Sequence, residues 1–301
     1  MTETTAPIRF AEDVPPVLVG VGPFEMEAAL RFGAEEAVRA GCALHLVHAL
    51  PVVPSGPETV LVTSEGLEKF GREALAIAEE RAEDFVAGRV PIVKELRRGA
   101  PVHGLVHAAR GARMVVLEHR HLSRMSRLVN RTIAGGVAAH TRVPVVAVPT
   151  GWSAPSGPRV VVAGVDVPKR SAEVLRAATA AARAREASLR VVHAWSLPDP
   201  YEGVAVDAEE IRSWTTRSRA EILAALDELG DLSVAIDADV QVRRGRPVEV
   251  VVAAAEGADL LVIGRHDPLL PAGSHIGAVA RGVLREATCP VLLAAPEVKH
   301  H

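Results

Sequence analysis

The chain repeats itself. RVVVAGVDVPKRS (Arg159 to Ser171), ADLLVIGRHD (Ala258 to Asp267) and GAVARGVLREATCPVLLAAP (Gly277 to Pro296) stand in the second half. Each has a diverged counterpart in the first: PVLVGVGPFE (Pro16 to Glu25), ARMVVLEHRH (Ala112 to His121) and RTIAGGVAAHTRVPVVAVP (Arg131 to Pro149). Pro144 answers to Pro290 and Gly99 to Gly245, both at an offset of 146 residues, and His48 answers to His193 at 145. Solenoid units are far shorter than this, so the repeat is a duplicated domain. Comparing the halves shows where they agree and where they have parted.

A length of 301 residues fits two domains, and 49% apolar residues suffice for a core in each. Aromatics make up only 3%, so those cores must be aliphatic. A net charge of −3 gives no general drive toward nucleic acid or anionic membrane. No apolar run reaches the ~18 residues of a membrane span. The start, MTETTAPIRF, lacks the basic and apolar segments of a signal peptide. Cys42 and Cys289, one per half, form neither a disulfide framework nor a metal knuckle. A cytoplasmic protein is expected.

Short apolar runs alternate with helix-period segments. Strands are expected at Val17 to Val21, Leu44 to Ala49, Ile92 to Leu96, Met114 to Leu117 and Val145 to Val148. The second half offers Val160 to Val165, Leu189 to Ala194, Ala238 to Val242, Leu260 to Ile263 and Val291 to Ala294. Several lack polar alternation, as parallel strands buried on both faces do. Amphipathic stretches lie between them: Glu27 to Arg39, Glu65 to Ala87, Ser171 to Glu186 and Ala208 to Leu229. The fold class is therefore α/β, with a doubly wound parallel sheet in each half. TGWSAPSGP (Thr150 to Pro158) separates them, so the domains are expected at 1–150 and 159–301, with a linker at 151–158. RRGAP (Arg97 to Pro101) and RRGRP (Arg243 to Pro247) mark the same tight strand-to-helix turn twice.

Together these residues resemble the universal stress protein family in its tandem form, over almost the whole chain. In that family strand 1 ends in aspartate and strand 2 carries a V-H-V-like tripeptide. Strand 4 opens a loop of pattern G-x-x-G, nine residues, G-[ST]. The second half has Asp166, then VVHA (Val191 to Ala194), then Gly264, Asp267 and Gly277-Ala278 at the full spacing. The middle glycine is replaced by Asp267 and the hydroxyl residue by Ala278. In the first half Gly22 replaces the aspartate, and the loop reads Glu118, His121, Arg131-Thr132.

The resemblance implies two Rossmann-like domains of the adenine nucleotide alpha hydrolase type, each a five-stranded parallel sheet of order 3-2-1-4-5 with helices on both faces. It also implies an adenine-nucleotide site, carried over onto Asp166, Ala194, Ile263, Gly264, Asp267, Gly277, Ala278 and Val279. Family members pair through their fifth strands, so PVVAVP (Pro144 to Pro149) and PVLLAAP (Pro290 to Pro296) are expected to meet within this chain. A homodimer beyond that internal pair is compatible with the resemblance.

The loop chemistry is simple. Glycines let backbone N–H groups approach phosphate, and the following helix N-terminus favours anions. Asp267 puts a carboxylate there instead. Two like charges ~4 Å apart repel by about 4 kcal/mol at an effective dielectric of ~20. Arg265 or a cation could offset that. ATP or AMP is therefore expected to bind weakly, in the second half alone.

Rival motifs fail. GVGPFE (Gly20 to Glu25) begins like a dinucleotide fingerprint but lacks its third glycine. There is no G-x-x-x-x-G-K-[ST]. GSHIG (Gly273 to Gly277) has its serine one place too early for a nucleophile elbow. No nucleophile–base pair stands out, so catalytic residues and metal ligands are both read as none. His103 with His107, and His119 with His121, lack the further ligands a zinc site needs. His48 and His193 recur at one place on strand 2 and are expected to tie down a neighbouring loop carbonyl. Asp166 reads either as a cap for the following helix or as a nucleotide contact.

One feature stands outside the family pattern. Arg120, Arg124, Arg127 and Arg131 fall at helical spacing in HRHLSRMSRLVNR (His119 to Arg131). They read as a solvated face or as a patch for an anion or an acidic protein partner. The function expected is that of a non-enzymatic stress-response protein acting by ligand or partner binding. The alternative is an ATP-binding stress protein with weak hydrolysis.

Overall fold

The computed structural model describes residues 14–23, 26–50, 64–119, 133–196, 207–230, 238–265 and 276–295. Strand and helix alternate throughout. The first half runs β1 (Val17–Val21), α1 (Glu27–Ala40), β2 (Leu44–Leu50), α2 (Ser64–Val86), β3 (Ile92–Arg98), α3 (Pro101–Ala108), β4 (Met114–His119), α4 (Ile133–His140) and β5 (Val145–Pro149). The second runs β6 (Val160–Val165), α5 (Ala172–Arg185), β7 (Ser188–Trp195), α6 (Ala208–Asp227), β8 (Ala238–Arg244), α7 (Pro247–Ala254), β9 (Leu260–Ile263), α8 (Ala278–Glu286) and β10 (Val291–Leu293).

Two compact units result. The first comprises the described chain through Glu118 together with α4 as far as Val143, and the second His119 and the chain from Pro144 onward. In the first unit β2 pairs in parallel with β3 and with β1, and β1 pairs in parallel with β4. In the second unit β8-β7-β6-β9-β10 is a parallel run. Its last strand pairs antiparallel with β5, Leu292 facing Val146. The fifth strands of the two halves thus meet within the chain. β5 belongs by sequence to the first half and by contacts to the second unit, because β10 supplies its partner.

Burial explains the elements. Every residue of β1, β5, β9 and β10 is buried, as their unbroken apolar runs require. The outer strands differ. β3 and β8 run on through Arg97-Arg98 and Arg243-Arg244, two residues past their apolar stretch. An edge strand has water on one side, so the ladder continues where the apolar pattern stops.

Helices cover both faces. A Cβ on Gly33 of α1 would strike Val19, while one on Gly20 would strike Leu117 and Leu105 of α3. Val19 and Gly20 are consecutive on β1 and point to opposite faces. The second half repeats the close fit, since Gly164 lies against Ile263 and Val251 of α7. Helix pairs repeat it too: Gly136 of α4 abuts Val102 of α3, and Gly282 of α8 abuts Val248 of α7. The RRG-P turns are built alike. Gly99 and Gly245 have φ of +136° and +150°, which side chains disfavour. Their N–H groups donate to the last residues of the neighbouring strands, Leu50 and Trp195.

Candidate functional site

The second-half site is assembled by strand register. β6 and β7 align Val165 with His193, and β6 and β9 align Gly164 with Ile263. Asp166, Ala194 and Gly264 each come next along their strands. Asp166, Ala194, Ile263 and Gly264 therefore gather at the C-terminal ends of three adjacent parallel strands, where ligands bind in open α/β sheets. Gly277, Ala278 and Val279 form the opening of α8. Gly277 is its N-cap in extended conformation, with φ −66° and ψ 166°, and offers no side-chain cap. Ala278 and Val279 are exposed. Asp267 and the stripe of Arg120, Arg124, Arg127 and Arg131 lie outside the described residues.

Asp166 is exposed, and the structure does not use it as a helix cap. The 3-10 turn that follows (Pro168–Arg170) is preceded by Val167, and α5 is capped by Ser171, neither through a side-chain hydrogen bond to the helix. The Ser171 hydroxyl donates to the Val167 carbonyl instead, at 2.8 Å. The turn puts the first residue of α5, Ala172, six residues beyond Asp166, out of capping reach. Gly264 has a packing role of its own: a Cβ there would come within 3.2 Å of Val174 in the first turn of α5. Arg265 turns toward β10, donating to the Leu293 carbonyl at 3.4 Å. Burial pushes its guanidinium down to about 10.

His193 meets its expectation. Its Nδ1 lies 3.0 Å from the carbonyl oxygen of Val165, the residue before Asp166. His48 does the same in the first half, 2.8 Å from the Val21 carbonyl. A carbonyl only accepts, so both rings carry a proton on Nδ1. The imidazole thereby fixes the end of strand 1 from which the site loop departs.

The first half has closed the equivalent place. Glu118 stands where the second half has Gly264, and its Oε2 accepts from the backbone N–H of Ala29 at 3.3 Å. Ala29 lies in the first turn of α1, where Val174 lies in α5. The chain's own carboxylate thus occupies the electropositive end of α1. The strand-end aspartate is Gly22, whose N–H approaches Met26 Sδ at 2.7 Å. The loop pattern shows the lost glycine but not the helix end that Glu118 satisfies. The signal lay in the residue type, because a carboxylate suits a helix N-terminus.

Among the described residues no group of three or more His, Cys, Asp or Glu could hold a metal ion. Nor is any described helix long and apolar enough to cross a membrane. Cys42 and Cys289 are both buried, and burial pushes the Cys289 thiol up to about 12.

Two parallel βα units and a residue-by-residue internal repeat define a tandem α/β protein. The model of the universal stress protein family matches residues 14–149 and again residues 158–295. The chain belongs to that family, with two such domains in tandem. A universal stress protein of Mycobacterium tuberculosis is 28% identical over 294 residues, covering 92% of this chain and 96% of that one. One from Mycolicibacterium smegmatis is 27% identical over 289 residues, covering 93% and 97%. The crystal structure of a universal stress protein from Archaeoglobus fulgidus superposes with a TM-score of 0.65 at 16% identity, covering 93% of this chain and 96% of that one. At that identity the likeness is one of fold.

Proposed function

We propose that this universal stress protein acts by binding, not catalysis, and that its second half holds one adenine nucleotide weakly. What supports the reading most is the contrast between the halves. Glu118 already fills the first turn of α1 with a carboxylate, whereas Gly264 brings no side chain to α5. Asp166 is exposed beside it and committed to no cap. In this reading Asp166 and the backbone around Ala194 and Ile263 take the nucleoside. Gly264, Gly277 and the N–H groups of Ala278 and Val279 face phosphate. Asp267 opposes a long phosphate chain, so AMP is favoured over ATP.

The test is mass spectrometry of small molecules released from the purified protein, followed by calorimetry with AMP and ATP. The expected result is at most one site per chain, binding ATP no more tightly than about micromolar, and abolished by Asp166→Asn. Submicromolar ATP affinity, or two sites per chain, overturns the proposal. Steady phosphate release from ATP that Asp166→Asn removes would favour a weak hydrolase instead.

A further inference from the structure

The corner where β7, β8 and α6 meet holds a group of side chains that the nucleotide reading does not employ. Trp195 ends β7 and Trp214 lies on α6, their ring centroids 6.2 Å apart and their planes inclined by 40°. Arg244 ends β8 and is the register partner of Trp195. Its guanidinium carbon sits 5.7 Å from the centroid of the Trp195 ring, within cation–π range. Trp214 is 53% exposed, Arg244 is exposed and Trp195 half-buried.

Packing alone does not account for this group, because the first half builds the same corner without it. There the register partners are Leu50 and Arg98, and α2 supplies Glu68, which forms an ion pair with Arg98. Arg98 and Arg244 are equivalent at the repeat offset of 146. The second half has exchanged an aliphatic residue and a neutralising carboxylate for two indoles. Among the described residues Arg244 has no carboxylate at ion-pair distance. The choice is also costly for so aliphatic a chain, since it places here two of its three tryptophans.

The chemistry of the corner is specific. A guanidinium stacked on an indole still presents its in-plane N–H groups, which suit carboxylate or phosphate oxygens. The exposed indole of Trp214 offers a ring face. Trp195 and Arg244 stand at the C-terminal ends of parallel strands, the ligand side of such a sheet. We propose that Trp195, Trp214 and Arg244 form a binding site for a planar aromatic ring that carries a carboxylate or phosphate. The ring stacks on indole and the anion meets Arg244. Two sources share this chemistry: a free aromatic carboxylate, and the base and phosphate of a mononucleotide. The site stands independently of the nucleotide reading above.

The three tryptophans give three indole N–H signals in a nitrogen–proton correlation spectrum, assignable with Trp152→Phe and Trp214→Leu. The full-length protein is titrated with indole-3-carboxylate, with cyclohexanecarboxylate as the non-aromatic control, and with AMP. Saturable shifts of the Trp195 and Trp214 signals are expected, with Trp152 unmoved. Trp214→Leu and Arg244→Gln, both exposed, should each weaken binding at least ten-fold, with circular dichroism unchanged. If AMP moves the two signals and still does so in Asp166→Asn, the nucleotide is the source; if Asp166→Asn abolishes the AMP shifts and indole-3-carboxylate gives none, the corner is no site of its own and the proposal falls. If only indole-3-carboxylate moves them, a free aromatic acid is the source. No saturable shift with either probe at millimolar concentration overturns the proposal. So does an equal response to cyclohexanecarboxylate, which would leave charge alone at work.

Discussion

His193 holds the carbonyl of Val165 at 3.0 Å through Nδ1, and the two residues are register partners on adjacent strands. The side chain of one strand thus fastens the main chain of its neighbour at the last rung before Asp166. Both groups are buried, where an unmet carbonyl is costly.

Replacing His193 by Phe keeps the ring and removes the donor. The expected loss is about 1–3 kcal/mol. His193→Asn, whose amide nitrogen reaches nearly the place of Nδ1, should recover at least half of it. Urea unfolding followed by circular dichroism measures both. Equal stability of wild type and His193→Phe would show that the contact contributes nothing.

Glu118 and Ala29 lead to a second expectation. Glu118→Ala removes the carboxylate from the first turn of α1 and should cost about 0.5–2 kcal/mol, the range for lost N-terminal caps. Glu118→Gln retains an acceptor and loses only the charge–dipole part, about 0.3–1 kcal/mol. A Gln variant as unstable as the Ala variant would place the whole effect in charge.

Gly282 and Val248 set the approach of α8 to α7. A Cβ on Gly282 would lie 2.7 Å from Val248 Cγ2. Gly282→Ala is therefore expected to destabilise by about 1–3 kcal/mol, despite the roughly 1 kcal/mol that alanine contributes to a helix interior. In Val248→Ala the clash is gone, and the same substitution should become neutral or stabilising. A double-mutant cycle reads the coupling directly. Additivity of the two changes would mean the helices shift apart freely.

Much of this architecture could be read from residue order. The runs at β1, β6 and β9 give strands with the expected bounds, because continuous Val, Leu and Ile admit little else at that length. The repeated RRG-P turn and the two strand-2 histidines could be read by matching one half against the other. Register-dependent contacts could not. Nothing local in Gly136 or Gly282 tells a helix–helix contact from a weak helix position. Asp166 offers a cap by type, yet the 3-10 turn after Pro168 moves α5 out of its reach. The pair of indoles has meaning only once β8 places Arg244 beside Trp195.

His45 carries the pH dependence. Its Nε2 lies 3.1 Å from Glu95 Oε2, and the Arg97 guanidinium pairs with the same carboxylate at 2.5 Å. Burial holds the imidazole below its ordinary 6.5; Glu95 opposes this and Arg97 adds to it. The unfolded chain therefore takes up the proton first as pH falls. Stability is level above about 6.5 and declines below it until the native pKa is passed. Urea midpoints of wild type and His45→Gln, compared from pH 8 to pH 5, isolate this contribution. The wild type should lose ground to the variant only below about pH 6.5. A constant difference across the range would remove His45 as the cause.

The proposed phosphate end of the second-half site offers the most direct reversal. Ala278 is the exposed first residue of α8, so Ala278→Ser adds a hydroxyl donor without disturbing the core. Asp267→Gly removes the carboxylate that the sequence places ten residues before Gly277. A carboxylate ~4 Å from phosphate opposes binding by about 4 kcal/mol at an effective dielectric of ~20, an upper bound on what its removal can return. The double variant should therefore bind ATP at least ten-fold more tightly than wild type, with a smaller gain for AMP, whose single phosphate extends less far. Glu118→Gly in the first half should produce no such gain, because Gly22 leaves that half without a strand-end aspartate. Calorimetry with both nucleotides on the three proteins decides it. Unchanged ATP affinity in the double variant would mean that Asp267 does not face the phosphates, and the assignment of Gly277 and Ala278 to that end of the site would fall with it.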